Sequence, residues 1–391
     1  MKYMGSKRSM LKNGLGDLLL EQTILFDRFV DLFTGGGFVS WFVAEKVNKT
    51  VLAVDLQRYS TVLAEAVISR TKPLDANKIY ENWVAKAKKK RNASYLWKKA
   101  RHLSNLNLPA KLYVDQARKL CETKSTIGPL WNAYGGHYFS PAQALSFDYL
   151  LDNLSNDYDE KIVSLAACIS AASECVASPG HTAQPFQPTE GAGKFILESW
   201  QKDPLEYCKT NLGLLCPKYA KVAGEVITED AQNVISQLNS KDLIFIDPPY
   251  SDVQYSRFYH VLEIIAKCKK QISVSGVGRY PQLSDRPQSK FSKISEAKDA
   301  LTLLLKGIAE KGSTVIFTFP SGDSSNGLSG EYIRSVASEW FFVEDKNTIE
   351  GQFSTLGGGS NGNRKARHKS SELILLLRPK NIPVCEPVKV I

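Results

Sequence analysis

The chain alternates between two textures of apolar and polar positions. In the first, short unbroken apolar runs stop at glycine, proline or an acid, and stretches of helical spacing separate them. Phe29-Val30-Asp31-Leu32-Phe33 is such a run, ended by Thr34-Gly35-Gly36-Gly37. Residues 38–47 then carry helical spacing, Val51–Val54 is a second run closed by Asp55, and 59–70 reads as another helix. Strand, glycine turn, helix, strand and acid make a parallel βαβ unit. The same texture returns near residue 222. Glu225-Val226-Ile227 leads to Asp230, Leu243–Ile246 leads to Asp247, and helices are expected over 256–269 and 295–310. Thr314–Phe319, Trp340–Val343 and Leu373–Leu377 read as the remaining strands.

Between residues 76 and 214 this alternation is lost. Apolar helical stretches such as Ile162–Ala172 alternate with polar turns and a loop-like segment at 178–193. The expected organisation is therefore an α/β core in two parts, 1–75 and 215–391, with 76–214 inserted between them. Two further segments read as irregular: 271–294, a flexible flap, and 357–370, rich in Gly, Ser and basic residues. There is no internal repeat and no heptad pattern.

Charge sharpens this division. The chain holds 50 Lys plus Arg against 40 Asp plus Glu, a net of +10 over 391 residues. Residues 81–125 alone hold twelve Lys or Arg against three Asp or Glu, a local net of +9. Trp83, Tyr95, Trp97 and Tyr113 are interleaved with these cations. A polyanionic partner is one reading of such a stretch, and a solvated helix face is the other. The composition, with 43% hydrophobic and 23% charged residues, is that of a globular chain able to bury a large core. Seven Cys without a CxxC pair predict free thiols in a reducing cytosol, hence a cytoplasmic protein. No apolar run approaches membrane-spanning length, and no signal peptide is read at the N-terminus. The five His lack metal-ligand spacing, so no metal is expected. Neither GxSxG nor Walker A is present, and His260 reads as a packed or surface helix residue.

Asp247-Pro248-Pro249-Tyr250 is the strongest chemical signal. At about 5% usage per residue type, four specified residues recur by chance roughly once in 10⁵ positions. The tetrad follows a buried strand, and the carboxyl ends of strands are where open α/β sheets bind ligands. An exocyclic aromatic amine is a poor nucleophile because its lone pair is delocalised. A carboxylate and a backbone carbonyl accepting its two N–H groups favour a more tetrahedral nitrogen, and an adjacent aromatic ring can stack on the base. Asp31 to Gly37 is the second signal, since glycines at a strand–helix turn let a nucleotide approach the backbone. Ser40 stands where the dinucleotide fingerprint needs its third glycine. Asp55 and Asp230 end strands where an acid can bind ribose hydroxyls, or serve only as a cap or a solvated turn. Lys2–Lys7 looks by composition like a basic tail.

Together these residues resemble the DNA adenine-N6 methyltransferases of the Dam-like, D12, alpha-group type. Tyr3-Met4-Gly5-Ser6-Lys7 matches the opening aromatic-x-Gly-x-Lys segment, with Ser6 in place of a second glycine. Phe33-Thr34-Gly35-Gly36-Gly37 matches the Phe-x-Gly-x-Gly turn, and Asp247–Tyr250 the catalytic tetrad. The resemblance implies a class I fold, a mostly parallel seven-stranded sheet with the last strand antiparallel, and an inserted, mainly helical target-recognition domain. It implies that S-adenosylmethionine is held by Tyr3, Lys7, Asp31, Phe33, Gly35, Gly37, Asp55 and Asp230, with Asp247 touching both cofactor and target. The substrate would be an adenine flipped out of double-stranded DNA. Lys88, Lys89, Lys90 and Arg91, with Arg364, Lys365 and Arg367, would meet its phosphates. A cognate restriction endonuclease could be a partner. Methylation of cytosine N4, an RNA or protein amide substrate, and a non-catalytic DNA-binding protein remain alternatives.

Overall fold

The computed structural model describes residues 7–354 and 367–380, with no statement on the side chains of 347–354 and 367–370. Its core is a seven-stranded sheet. The strands are β1 (Arg28–Asp31), β2 (Thr50–Asp55), β3 (Glu225–Thr228), β4 (Asp242–Ile246), β5 (Thr314–Pro320), β6 (Phe341–Ser354) and β7 (Arg367–Pro379), in spatial order β3-β2-β1-β4-β5-β7-β6. β1 to β5 run parallel, and β7 lies antiparallel to both β5 and β6. Each strand run read from the sequence is present, and β6 and β7 extend well beyond the short runs expected for them.

The central strands are apolar at successive positions because both sheet faces are covered. Along β4, Leu243 and Phe245 pack on one side, and Ile244 and Ile246 on the other. The second side is covered by helices that include Ala297–Glu310 and Gly330–Trp340. From β1 the chain builds outward through β2 and β3, and from β4 it builds the opposite way. The switch between β1 and β4 opens a crevice at their carboxyl ends, the usual ligand position in such sheets.

The segment 76–214 is mostly helical, with an irregular stretch between the helices Tyr158–Cys175 and Gly193–Trp200, and it lacks a wholly separate core. Tyr158–Cys175 and Pro204–Leu215 contribute to one apolar cluster with Arg58–Ile68 and His260–Ala266, the helices that follow β2 and the tetrad. A smaller cluster, with Leu103, Tyr113, Val114 and Trp200, is internal to the helical segment. Trp83 is buried and donates its indole N–H to the Leu150 carbonyl at 2.8 Å. Tyr113 is buried edge-on against Trp200. Two of the aromatics interleaved with the cations are therefore core residues.

The 271–294 segment also departs from expectation. It forms a small hairpin, Val274–Ser275 against Tyr280–Pro281, and is fastened to the chain after the tetrad. Gln254 donates to the Ser289 carbonyl at 2.8 Å and accepts from the Ser289 amide at 2.7 Å. The six described cysteines are free thiols, and no described helix is long and apolar enough to cross a membrane.

Candidate active site

The crevice at the switch point gathers most of the predicted site residues. Lys7, Asp31, Phe33, Gly35, Asp55, Asp230 and the whole tetrad Asp247–Tyr250 line one cleft. Gly37 is not on the lining but is the N-cap of the helix Phe38–Lys46 that follows the turn, and Tyr3 lies outside the described residues.

Gly35 and Gly37 hold φ of 54° and 80°, the left-handed region in which only glycine is unstrained. A Cβ on Gly37 would also stand 3.1 Å from the Trp41 indole nitrogen. Asp55 reaches back from the end of β2 and fixes this turn. Its carboxylate accepts from the Gly35 amide at 2.8 Å and the Gln57 amide at 2.9 Å. Burial raises its pKa to about 6 against those two bonds. Asp31, at the end of β1, is buried and accepts from the Ser40 hydroxyl at 2.6 Å. Burial raises its pKa to about 7, and the nearby Asp247 and Asp55 add to the rise. The serine that breaks the dinucleotide fingerprint is thus the donor that holds this acid. Asp230 caps the short helix Ala231–Val234, accepting from the Gln232 amide at 2.9 Å, and also lines the cleft.

Lys7 is the largest correction to the composition reading. It is no part of a solvated tail: only 5% of it is exposed, and its ammonium lies 2.9 Å from Asp247 Oδ1 and 2.7 Å from Glu372 Oε2. Burial alone would disfavour the cation, but the two carboxylates outweigh it and hold the Lys7 pKa above the ordinary range. Burial also raises the Asp247 pKa, with Lys7 opposing and Glu372 assisting. The Thr318 hydroxyl donates to the same Oδ1 at 3.1 Å. Both donors therefore meet one oxygen of Asp247, and among the described residues none meets Oδ2.

The carbonyls of the tetrad divide in the same manner. Asn326 donates to the Pro249 carbonyl at 2.8 Å and to the Phe291 carbonyl at 2.9 Å. Among the described residues no donor meets the Pro248 carbonyl. Tyr250 is partly buried in the cleft, and burial pushes its hydroxyl pKa to about 12. Phe291, from the fastened flap, packs edge-on against Phe33 at 5.2 Å and closes one wall.

Sequence reading missed Glu372, Thr318, Asn326, Gln57 and Ser256. Glu372 and Thr318 had a faint signal, since each is polar beside or within a buried apolar strand. Gln57 and Ser256 line the cleft, and Gln57 Oε1 and Ser256 Oγ are buried without a hydrogen-bond partner among the described residues. Buried polar atoms normally have partners. A bound polar molecule would supply them. The four lining acids Asp31, Asp55, Asp230 and Asp247 outnumber Lys7, the one described Lys or Arg on the lining. Orphaned polar atoms, a glycine-only turn and excess negative charge fit a nucleoside that carries a positive centre.

The predicted phosphate-binding residues fare differently. Lys88, Lys89 and Lys90 are exposed on the helix Lys86–Ala93. Arg91 is buried, donates to the Ser146 hydroxyl at 2.8 Å, and stacks on Trp97 at 3.6 Å. Burial pushes its pKa down to about 10. Its guanidinium is engaged within the helical layer, which removes it from the phosphate set. Arg364 and Lys365 lie outside the described residues, and Arg367 opens β7. His260 is buried between the hydroxyls of Tyr134 and Tyr138, as a packed residue. Among the described residues no group of His, Cys, Asp and Glu could hold a metal ion.

A mostly parallel sheet in this order, its last strand reversed and its cleft at the β1/β4 switch, is that of a class I methyltransferase. Residues 3–126 and 200–299 match the model of the D12 class N6 adenine-specific DNA methyltransferases, which is more than half of the chain. The chain belongs to that family. It is 24% identical over 280 residues to the protein named Modification methylase LlaI of Lactococcus lactis subsp. lactis. That alignment covers 68% of this chain and 38% of the relative, so the chain spans well under half the length of the curated protein it matches.

Proposed function

We propose that the protein transfers a methyl group to N6 of an adenine flipped out of double-stranded DNA, as the modification partner of a restriction endonuclease. When bound, S-adenosylmethionine supplies the methyl group, carried on a sulfonium. Family membership and the name of the relative support this reading. The observation that carries it is the pair of acceptors at the tetrad, Asp247 Oδ2 and the Pro248 carbonyl, that no donor meets among the described residues.

In this reading the two acceptors take the two N–H groups of the target amine. The nitrogen lone pair is thereby drawn out of conjugation and aimed into the cleft. Lys7 and Thr318 fix the other oxygen of Asp247, so the carboxylate cannot rotate, and Asn326 fixes the backbone beside it. Tyr250 offers a ring on which the base can stack. Asp55 and Asp230 supply acceptors for the ribose hydroxyls, Gln57 and Ser256 take further polar groups of the cofactor, and Asp31, Phe33, Gly35 and Gly37 shape its seat. Lys7 acts through Asp247 as a positioning residue. The helical segment 76–214, with Lys88 to Lys90, serves as the target-recognition insertion.

Incubation with S-adenosylmethionine labelled in its methyl group, followed by nucleoside analysis of the DNA, tests this. The label should appear as N6-methyladenine, and mapping then gives the methylated position. Label in N4-methylcytosine, or in RNA alone, would sink the assignment.

A further inference from the structure

The chain beyond the tetrad holds a feature that methyl transfer does not use. Gln254, Tyr255 and Ser256 line the cleft, and Arg257 follows them at the surface. This segment is clamped from the helical insertion. The Thr182 amide and hydroxyl both donate to the Phe258 carbonyl, at 2.6 and 2.8 Å. The flap meets the same place. The Tyr280 hydroxyl donates to the Ala183 carbonyl at 2.5 Å and accepts from Arg257 Nε at 2.9 Å. The Tyr280 ring is thus pinned at the junction of insertion, flap and tetrad segment.

Two guanidinium groups sit over that ring. Arg257 lies 5.1 Å and Arg286 5.4 Å from its centroid. Arg286 immediately precedes Pro287, which lines the cleft. Neither arginine pairs with a carboxylate among the described residues, and Arg286 Nε is buried without a partner there. Arg91 differs in that both terminal nitrogens of its guanidinium already have partners, Ser146 and Asn92, inside the helical layer. Stacking orders the two side chains, no partner among the described residues takes their terminal N–H groups, and the planar fork of guanidinium matches a phosphate.

We propose that Arg257 and Arg286, stacked on Tyr280 beside the cleft, hold a backbone phosphate flanking the nucleotide that enters it. This rests on the DNA reading above. A flipped nucleotide leaves the stack by rotation about its backbone, so a fixed phosphate beside it defines where the base lands. The other anion that could reach the pair is the carboxylate of the cofactor, and the test separates the two.

The test uses the full chain and a short duplex containing the mapped adenine, with single uncharged methylphosphonate linkages placed in turn around it. Wild type should lose about tenfold or more in affinity at one flanking linkage, the size of a charged hydrogen bond. The Arg257→Gln/Arg286→Gln variant should bind the unmodified duplex correspondingly more weakly and be indifferent to that linkage. Its log–log salt slope should fall by about 0.9 for each phosphate that it no longer neutralises. The Arg257→Lys/Arg286→Lys pair should keep most of the slope, and S-adenosylmethionine affinity should be unchanged in all three proteins. Wild-type sensitivity to the linkage retained in the Gln pair would overturn the proposal. So would a tenfold loss of cofactor affinity, which would assign the pair to the cofactor carboxylate. Either result, with wild type still methylating DNA, leaves the methyltransferase reading standing. A wild-type protein that binds no duplex overturns both.

Discussion

Lys7 and Lys88 carry the same charge in two regions that treat it oppositely. At the carboxyl edge of the sheet, Lys7 is buried between two carboxylates, and one oxygen of Asp247 is fixed by two donors. On the helical layer, Lys88, Lys89 and Lys90 project into solvent with no carboxylate partner among the described residues. Burying ions costs several kcal/mol each, so a buried network persists only where its geometry is satisfied. Exposed lysines demand no geometry and act through their field, which salt screens. The edge can therefore place a reacting atom, whereas the helical layer can attract and orient a polyanion.

The comparison breaks most severely if Lys7 can be removed at little cost. Lys7→Met leaves Asp247 and Glu372 facing each other without a cation. We expect a loss of about 3–5 kcal/mol in urea unfolding, the range for a buried pair broken on one side. Adding Glu372→Gln should restore part of that loss. An unchanged midpoint in the single variant would mean that the network is not stabilising.

Asp55→Ala comes next in size. It removes an acceptor proposed for the ribose, and calorimetry should show S-adenosylmethionine binding weakened by about 1.5–3 kcal/mol. Unchanged affinity in a folded variant would take Asp55 out of the cofactor site.

The buried acids also set a pH dependence. The Asp31 pKa is raised from 3.8 to about 7 in the folded chain, so the native state binds the proton more tightly than the unfolded chain does. Its contribution to stability is then present at low pH and is lost as pH rises through that interval. Asp31→Asn should flatten the fall in unfolding free energy between 3.8 and about 7. A variant that keeps the full wild-type slope would place the titration elsewhere.

The smallest effect belongs to the helical layer. Lys88→Gln/Lys89→Gln/Lys90→Gln should weaken binding on all duplexes and reduce the salt slope by about 0.9 for each phosphate left without its cation. Superimposable salt plots would mean that these lysines face away from DNA.

What the sequence made legible is what lies at strand ends. The glycine turn, Asp31, Asp55 and the tetrad each follow an apolar run closely, so local pattern places them on the carboxyl edge. Glu372 is 365 residues from the lysine it holds, and Thr318 is 71 from Asp247. No local pattern encodes such pairings, because the sheet order alone brings them together. Arg91 failed for a related reason. Its neighbours Lys88 to Lys90 share its charge, but only Arg91 turns inward to Trp97 and Ser146, a choice made by helix packing. Tyr3, Arg364 and Lys365 lie outside the described residues.

The central claim is that chemistry resides in the buried edge and that the exposed lysines affect only binding. Single-turnover methyl transfer at saturating DNA, compared between Asp247→Ala and the Lys88/Lys89/Lys90 triple Gln variant, tests it most directly. The account predicts a rate loss of roughly 10³-fold or more for Asp247→Ala, since the variant lacks an acceptor that orients the amine, with duplex affinity largely kept. It predicts a rate for the triple variant within about twofold of wild type, because saturation removes a pure binding defect. A near-normal rate in Asp247→Ala, or a comparable collapse in the triple variant, would contradict it.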